Sequence, residues 1–223
     1  MKPVSTSFPT DLFEALPPRS GVEELAPGAV VLRGFAHSSE RDLLDAVEGI
    51  IAVSPFRHLV TPGGYRMSVA MTNSGELGWV SDRNGYRYDA IDPTTARPWP
   101  SMPDLFRQLA AQAAERAGYE SFRPDACLIN RYAPGTRLSL HRDYDERDAA
   151  APIVSISLGV PAKFLWGGLR RNDRTRPIVL ESGDIVVWGG ASRFVYHGIA
   201  PLPENRHSLT GELRINLTFR KAR

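Results

Sequence analysis

The strictest hydrophobic pattern in the chain is its last. In Arg214-Ile-Asn216-Leu-Thr218-Phe-Arg220, polar residues hold the even positions and apolar ones the odd. A period of two belongs to a strand. One face, Ile215, Leu217 and Phe219, packs on hydrophobic neighbours, and the other gathers Arg214, Asn216, Thr218 and Arg220. Short runs of this kind recur from Asp125 onward. They predict strands over 126–132, 137–141, 153–158, 163–166, 177–180, 184–188, 194–197 and 212–220. Eight strands with turns between them predict a sandwich or jelly roll over 125–223.

Upstream the period changes. A strand is predicted over 29–35. Leu43, Leu44, Val47, Ile50 and Ile51 then recur at helical spacing, with Ser38 or Ser39 as the cap and Pro55 as the stop. A second helix is predicted over 102–117, with Ser101 capping it, Pro103 and Asp104 in its first turn and Gly118 ending it. Two helices ahead of a run of strands are expected to brace one sheet from outside, an α+β, mainly β fold. Residues 56–100 show neither period and are rich in Gly, Pro, Tyr and Trp. A loop-rich stretch of that length inside a domain is usually functional, although each aromatic taken singly reads as a small core anchor. Residues 1–26, with Pro17, Pro18 and a short apolar patch at Leu12–Leu16, read as an N-terminal extension to a single domain over 27–223.

Composition narrows this. Gly 19 and Pro 18 make about a sixth of 223 residues, above the usual ~12%, which suits many turns rather than a helix bundle. One cysteine excludes a disulfide framework and any multi-cysteine zinc site, and favours a reducing, cytoplasmic setting. Neither a signal peptide nor a membrane span is expected. The net charge of +2 is uneven: residues 1–60 carry 5 basic and 8 acidic groups, and the remainder is net positive. Among the basic residues only Lys2, Lys163 and Lys221 are lysine. An arginine surplus suits an anionic ligand, and a source genome rich in arginine codons would produce it equally well.

The candidate chemistry lies at strand ends. His141 and Asp143 alternate, so they share a face. His197 ends another predicted strand. Two histidines and one carboxylate form the facial triad of non-haem Fe(II) oxygenases, which leaves half an octahedron open for a co-substrate and O2. His-x-Asp alone is a weak signal; His37, His58 and His207 occur without evident partners. Asn130 and Tyr132 share one strand face, as do Arg214, Asn216 and Arg220. Two arginines and two amides suit a dicarboxylate; the other reading is the solvated face of an edge strand.

The ordered set Asn130-Arg-Tyr132-Ala-Pro-Gly, His141-x-Asp143, His197-Gly and Arg214-x-Asn216-x-Thr218-x-Arg220 resembles the AlkB family. Ser54-Pro-Phe-Arg57, Thr61-Pro-Gly-Gly-Tyr65, Ser68-Val-Ala-Met71-Thr-Asn73, Ile91-Asp-Pro93 and Trp188-Gly-Gly190 extend the resemblance over residues 27–220. It implies a double-stranded β-helix with a nucleotide-recognition lid over 56–100. The implied activity is oxidative demethylation of N-alkylated bases of the N1-methyladenine and N3-methylcytosine type, in DNA, with RNA as a further candidate substrate. Fe(II), 2-oxoglutarate and O2 would be used, with release of succinate, CO2 and formaldehyde. His141, Asp143 and His197 would ligate iron. Arg214 would pair with the distal carboxylate of 2-oxoglutarate, and Arg220 would sit near the carboxylate that chelates iron. Asn130, Tyr132 and Asn216 would complete the hydrogen bonds. Trp79 and His141 would sandwich a flipped base. Tyr86, Arg171 and the lid from Thr61 to Met71 would hold the nucleotide, and Asp145 would face the exocyclic amine. Arg83, Arg87, Arg137, Arg170 and Arg171 are candidate phosphate contacts. A monomer acting on nucleic acid is expected. Cys127 reads as a packed core thiol, and Tyr144 as a surface residue. The alternatives are a 2-oxoglutarate-dependent hydroxylase of a small molecule or protein, and a non-catalytic nucleic-acid-binding module.

Overall fold

A computed structural model describes residues 20–223; the Leu12–Leu16 patch and most of the expected extension lie outside the described residues. The elements run β1 (Gly21–Ala26), β2 (Ala29–Arg33), α1 (Glu40–Val53), β3 (Ala70–Gly75), β4 (Gly78–Asp82), β5 (Gly85–Asp89), β6 (Ile91–Asp92) and β7 (Arg97–Pro98). Then follow α2 (Asp104–Arg116), β8 (Ala126–Tyr132), β9 (Leu138–His141), β10 (Ile153–Gly159), β11 (Ala162–Trp166), β12 (Arg176–Leu180), β13 (Ile185–Trp188), β14 (His197–Ile199) and β15 (Arg214–Arg220).

Two sheets face each other. The larger has seven strands in the order β1-β2-β13-β10-β15-β8-β3, and the smaller four in the order β12-β11-β14-β9. The alternation of β15 explains the layering. Ile215, Leu217 and Phe219 join Cys127, Ile129, Val154, Ile156 and Val187 in a core that α1 and α2 cover with Leu43, Val47, Ile50, Phe106 and Leu109. The opposite faces of the same strands look toward the small sheet, where Leu128, Tyr132, Phe164, Trp166 and Trp188 form a second core. The two helices therefore brace the large sheet from outside, and the jelly-roll architecture follows. β15 lies in the middle of its sheet with every residue buried, not at a solvated edge. Its arginines are inside the protein.

Four sequence expectations shift. Gly21–Ala26 is not extension: it pairs antiparallel with β2 from Gly21↔Arg33 to Ala26↔Ala29. Residues 56–100 contain five strands, and β3 joins the large sheet through β8, so that sheet is not built from 125–223 alone. These strands are short, two of them only two residues long, which is why no period showed. His197 opens a strand instead of closing one; residues 194–196 precede it after a 3-10 turn at Gly190–Ser192. The helix caps also differ. Ser39 holds the cap position of α1 without a side-chain hydrogen bond, and Pro103, not Ser101, takes that position in α2. Gly118 stops α2 as expected, with φ +87°.

Residues 56–100 are tied to the sheet by buried polar groups. Asp92 accepts from Arg57 Nη1 (2.8 Å), Ser54 Oγ (3.2 Å) and the Thr94 amide (2.8 Å), while Thr72 Oγ1 donates to the Ser54 carbonyl (2.7 Å). The Ser54-Pro-Phe-Arg57 and Ile91-Asp-Pro93 motifs are the two halves of this brace. Among the described residues no helix is long and apolar enough to cross a membrane.

Candidate active site

His141 ends β9 and His197 begins β14, and the two are register partners. Close approach of these strands depends on Gly198, where a Cβ would lie 2.7 Å from the Leu138 carbonyl oxygen. The imidazoles consequently sit with centroids 4.5 Å apart. Each Nδ1 is 2.9 Å from a backbone carbonyl, of Ser139 for His141 and of Val195 for His197. A carbonyl only accepts, so Nδ1 carries a proton and, in the neutral ring, Nε2 presents a lone pair. Those Nε2 atoms lie 3.8 Å and 3.7 Å from Asp143 Oδ1 and Oδ2, beyond hydrogen-bonding distance. Asp143 Oδ2 is buried without a hydrogen-bond partner. Three donor atoms within 4.8 Å of one another, two imidazole nitrogens and a carboxylate oxygen, suit a divalent first-row metal.

Electrostatics keep this set ready to ligate. Burial works to raise the Asp143 carboxyl, but Arg220, His197, His141 and Arg193 hold it well below the usual range, so it stays ionised. Burial, with His141 beside it, pushes His197 down to about 4, so it stays neutral.

Arg214 lines the same cavity as the donor set and is 1% exposed. Its Nη2 donates to Ser157 Oγ (3.0 Å) and its guanidinium lies 4.9 Å from the Tyr132 ring, yet Nε and Nη1 have no hydrogen-bond partner. A buried arginine facing no carboxylate is costly unless an anion completes it; burial accordingly lowers its pKa. Asn216 is internally satisfied: its amide nitrogen donates to Ser155 Oγ and the Ile156 carbonyl, and its oxygen accepts from Asn130 Nδ2 and Thr218 Oγ1. Asn130 Oδ1 is left unpartnered.

Arg220 Nη2 donates to Asp143 Oδ1 (3.2 Å) and Nε approaches Glu146 Oε1 (3.2 Å). Glu146 also accepts from Tyr88 (2.6 Å) and Arg193 (3.0 Å), and Arg193 Nη1 holds the Asp143 carbonyl (2.7 Å). Sequence reasoning missed Glu146, Arg193 and Tyr88. The clue available was the acid cluster Asp143, Asp145, Glu146; nothing local pairs Glu146 with an arginine 47 positions away.

Above the donor set, the β4–β5 hairpin carries Trp79 and Tyr86, stacked at 5.5 Å and 12°. Asn73 on β3 fixes this hairpin, its side chain bonding both the amide and the carbonyl of Trp79 at 3.0 Å. Trp79 Nε1 donates to Asp145 Oδ2 (2.9 Å). Burial raises the Asp145 carboxyl; the Trp79 bond opposes this, and Glu146 and Asp143 add to it. Thr61 closes a turn in which its carbonyl accepts from Gly64 and its Oγ1 from the Tyr65 amide.

One cavity of about 890 Å³ collects these groups. His141, Asp143, His197, Asn130, Tyr132, Arg214, Asn216, Arg220, Thr61, Met71, Trp79, Tyr86, Asp145 and Arg171 all line it. Of the candidate phosphate contacts, Arg137 and Arg171 reach it, whereas Arg87 is engaged by Asp82 (3.0 Å) and Asp89 (3.7 Å). Cys127 is fully buried, its thiol pushed up by burial, and stands outside the cavity lining.

Comparison with known proteins agrees with this geometry. The 2OG-Fe(II) oxygenase superfamily matches residues 28–220. The chain is 62% identical to the alpha-ketoglutarate-dependent dioxygenase AlkB of Salmonella typhimurium, covering 90% of this chain and 93% of that one. It is 57% identical to its Escherichia coli counterpart over 95% and 97% of the two chains. The solved structure of OsALKBH1 superposes with a TM-score of 0.79 at 28% identity, over 90% of this chain and 100% of that one.

Proposed function

The chain belongs to the AlkB family within the 2OG-Fe(II) oxygenase superfamily, and from that premise we infer that it is an Fe(II)- and 2-oxoglutarate-dependent dioxygenase that demethylates N-alkylated nucleic-acid bases. One observation carries the reading. A single cavity holds a His–Asp–His set with uncommitted Nε2 and Oδ2 atoms and, in the same lining, a buried guanidinium with two unpartnered nitrogens. A metal and a dicarboxylate satisfy both at once.

In this reading His141, Asp143 and His197 hold the iron, and Arg214 binds the distal carboxylate of 2-oxoglutarate through Nε and Nη1. Arg220 keeps Asp143 ionised and stands beside the metal-chelating carboxylate. Asn216 orients Asn130, and Tyr132 walls the co-substrate side. The bound iron, 2-oxoglutarate and O2 supply the oxidising chemistry, so that an N-methyl carbon leaves as formaldehyde while the co-substrate leaves as succinate and CO2. The protein's own task is to bind, orient and exclude water. A base inside a duplex stack is out of reach, so the target is flipped into the pocket. There Trp79 and His141 flank it, with Tyr86 backing Trp79. Asp145 and Asp143 favour the cationic ring of N1-methyladenine or N3-methylcytosine over a neutral base. Thr61 and Met71, within a nucleotide-recognition lid over 56–100, and Arg171 outside it line the cavity and hold the nucleotide. One chain supplies every group, which supports a monomer.

The test is incubation with Fe(II), 2-oxoglutarate and an oligonucleotide carrying N1-methyladenine. Loss of one CH2 from the base with matching succinate is expected. Succinate without demethylation would favour a hydroxylase of another substrate, and neither product, with metal bound, would leave a binding module.

A further inference from the structure

We propose that Arg142, Tyr144 and Tyr196 form a docking subsite for the nucleotide next to the damaged one, with the phosphate on Arg142 and the neighbouring base on Tyr144. The proposal rests on the reading that the substrate is a nucleic-acid base.

From the end of β9 onward, exposure alternates residue by residue over 141–145. Asp143 is buried and His141 and Asp145 are half-buried, whereas Arg142 and Tyr144 are exposed. Inward side chains belong to the pocket; the outward pair stands on its rim, between residues whose positions the donor set fixes. Arg193 Nη1 clamps the Asp143 carbonyl at 2.7 Å, so the backbone that carries the pair is anchored.

Arg142 is neither solvated at random nor neutralised. Its guanidinium carbon lies 5.5 Å from the Tyr144 ring and 5.6 Å from the Tyr196 ring, and no carboxylate among the described residues pairs with it. Stacking on rings leaves the in-plane N–H fork free, and that fork matches a phosphate. Tyr144 is 60% exposed, so its ring is available to a partner. With the guanidinium on one face, its other face is open to a base, and base–aromatic stacking does not depend on sequence. Arg142, Tyr144 and Tyr196 all border the same cavity as the donor set, so they lie within reach of a chain whose base enters it.

The experiment compares N1-methyl-dAMP with a trinucleotide carrying N1-methyladenine at its centre. For Tyr144→Ala the trinucleotide KM should rise at least about fivefold more than the mononucleotide KM, and Tyr144→Phe should restore it. The excess should vanish when the flanking nucleotides are abasic. For Arg142→Gln the excess should vanish when the flanking linkages are methylphosphonates. Equal KM ratios for Tyr144→Ala and the unmodified protein on the two substrates would overturn the proposal, as would an excess that survives abasic flanks. Should the unmodified protein demethylate neither substrate, the base reading fails, but trinucleotide affinity by fluorescence anisotropy still decides the subsite. Weaker binding by Tyr144→Ala supports it, and equal binding overturns it.

Discussion

Arg214 shows how a single residue can work against stability and for function. A guanidinium 1% exposed with two unpartnered nitrogens is a cost to the protein without a ligand. Arg214→Met keeps the volume and removes that cost. The ligand-free variant is expected to be more stable than the unmodified protein by about 1–4 kcal/mol, read as a higher urea midpoint, while 2-oxoglutarate binding by calorimetry is lost. A fall in stability would mean that Arg214 is already satisfied. Gly198 is the geometric counterpart. A methyl there meets the Leu138 carbonyl oxygen at 2.7 Å and the Leu140 amide nitrogen at 3.2 Å, both backbone atoms that cannot rotate away. Gly198→Ala should push β9 from β14 and part His141 from His197. Fe(II) affinity, measured by competition with a chromogenic chelator, should fall while the circular dichroism of the strands persists.

Among the elements, the brace between α1, β3 and β6 is one place where stability depends on pH. Burial works to raise the Asp92 carboxyl, and Arg57, the Thr94 amide and Ser54 override it, so its pKa lies below the ordinary value. A depressed folded pKa stabilises above the unfolded value of ~3.9 and is lost as pH falls through the folded one. Asp92→Asn should therefore cost about 2 kcal/mol at pH 7, with the gap to the unmodified protein narrowing below pH 4; a gap independent of pH would assign the loss to packing. The elements also show what the sequence could reveal. β8 and β15 were legible because each has a different job on each face, so period two survives in residue type even though both faces are buried. The strands of 56–100 were not legible. They are short, and the β4–β5 hairpin is fixed by Asn73 and by Tyr88 on Glu146 rather than by a periodic apolar face. Sequence therefore located the His–Asp–His set and the polar face of β15, but not the Glu146–Arg193–Tyr88 network behind them. That network depends on ion pairing between segments far apart in the chain, which leaves no local pattern.

For the whole molecule, the net charge of +2 says little, and the arginines placed at the cavity mouth say more. Phosphate neutralisation releases counterions, so affinity for a single strand falls with salt at a log–log slope of about −0.7 per contact. Arg137 and Arg171 line the cavity, and neither has a carboxylate partner among the described residues. Together they should account for about 1.4 of the slope, read by fluorescence anisotropy between 50 and 200 mM salt as a flatter line for Arg137→Gln/Arg171→Gln. Arg87→Gln should leave the slope unchanged, because Asp82 and Asp89 already neutralise that guanidinium. His141→Ala separates binding from chemistry. It removes one metal donor and no phosphate contact, so demethylation should cease while the unmodified protein's salt slope remains. A slope that collapsed with His141→Ala would mean that nucleic-acid affinity runs through the metal site, and the division of the cavity into an anion-binding mouth and a reactive floor would be wrong.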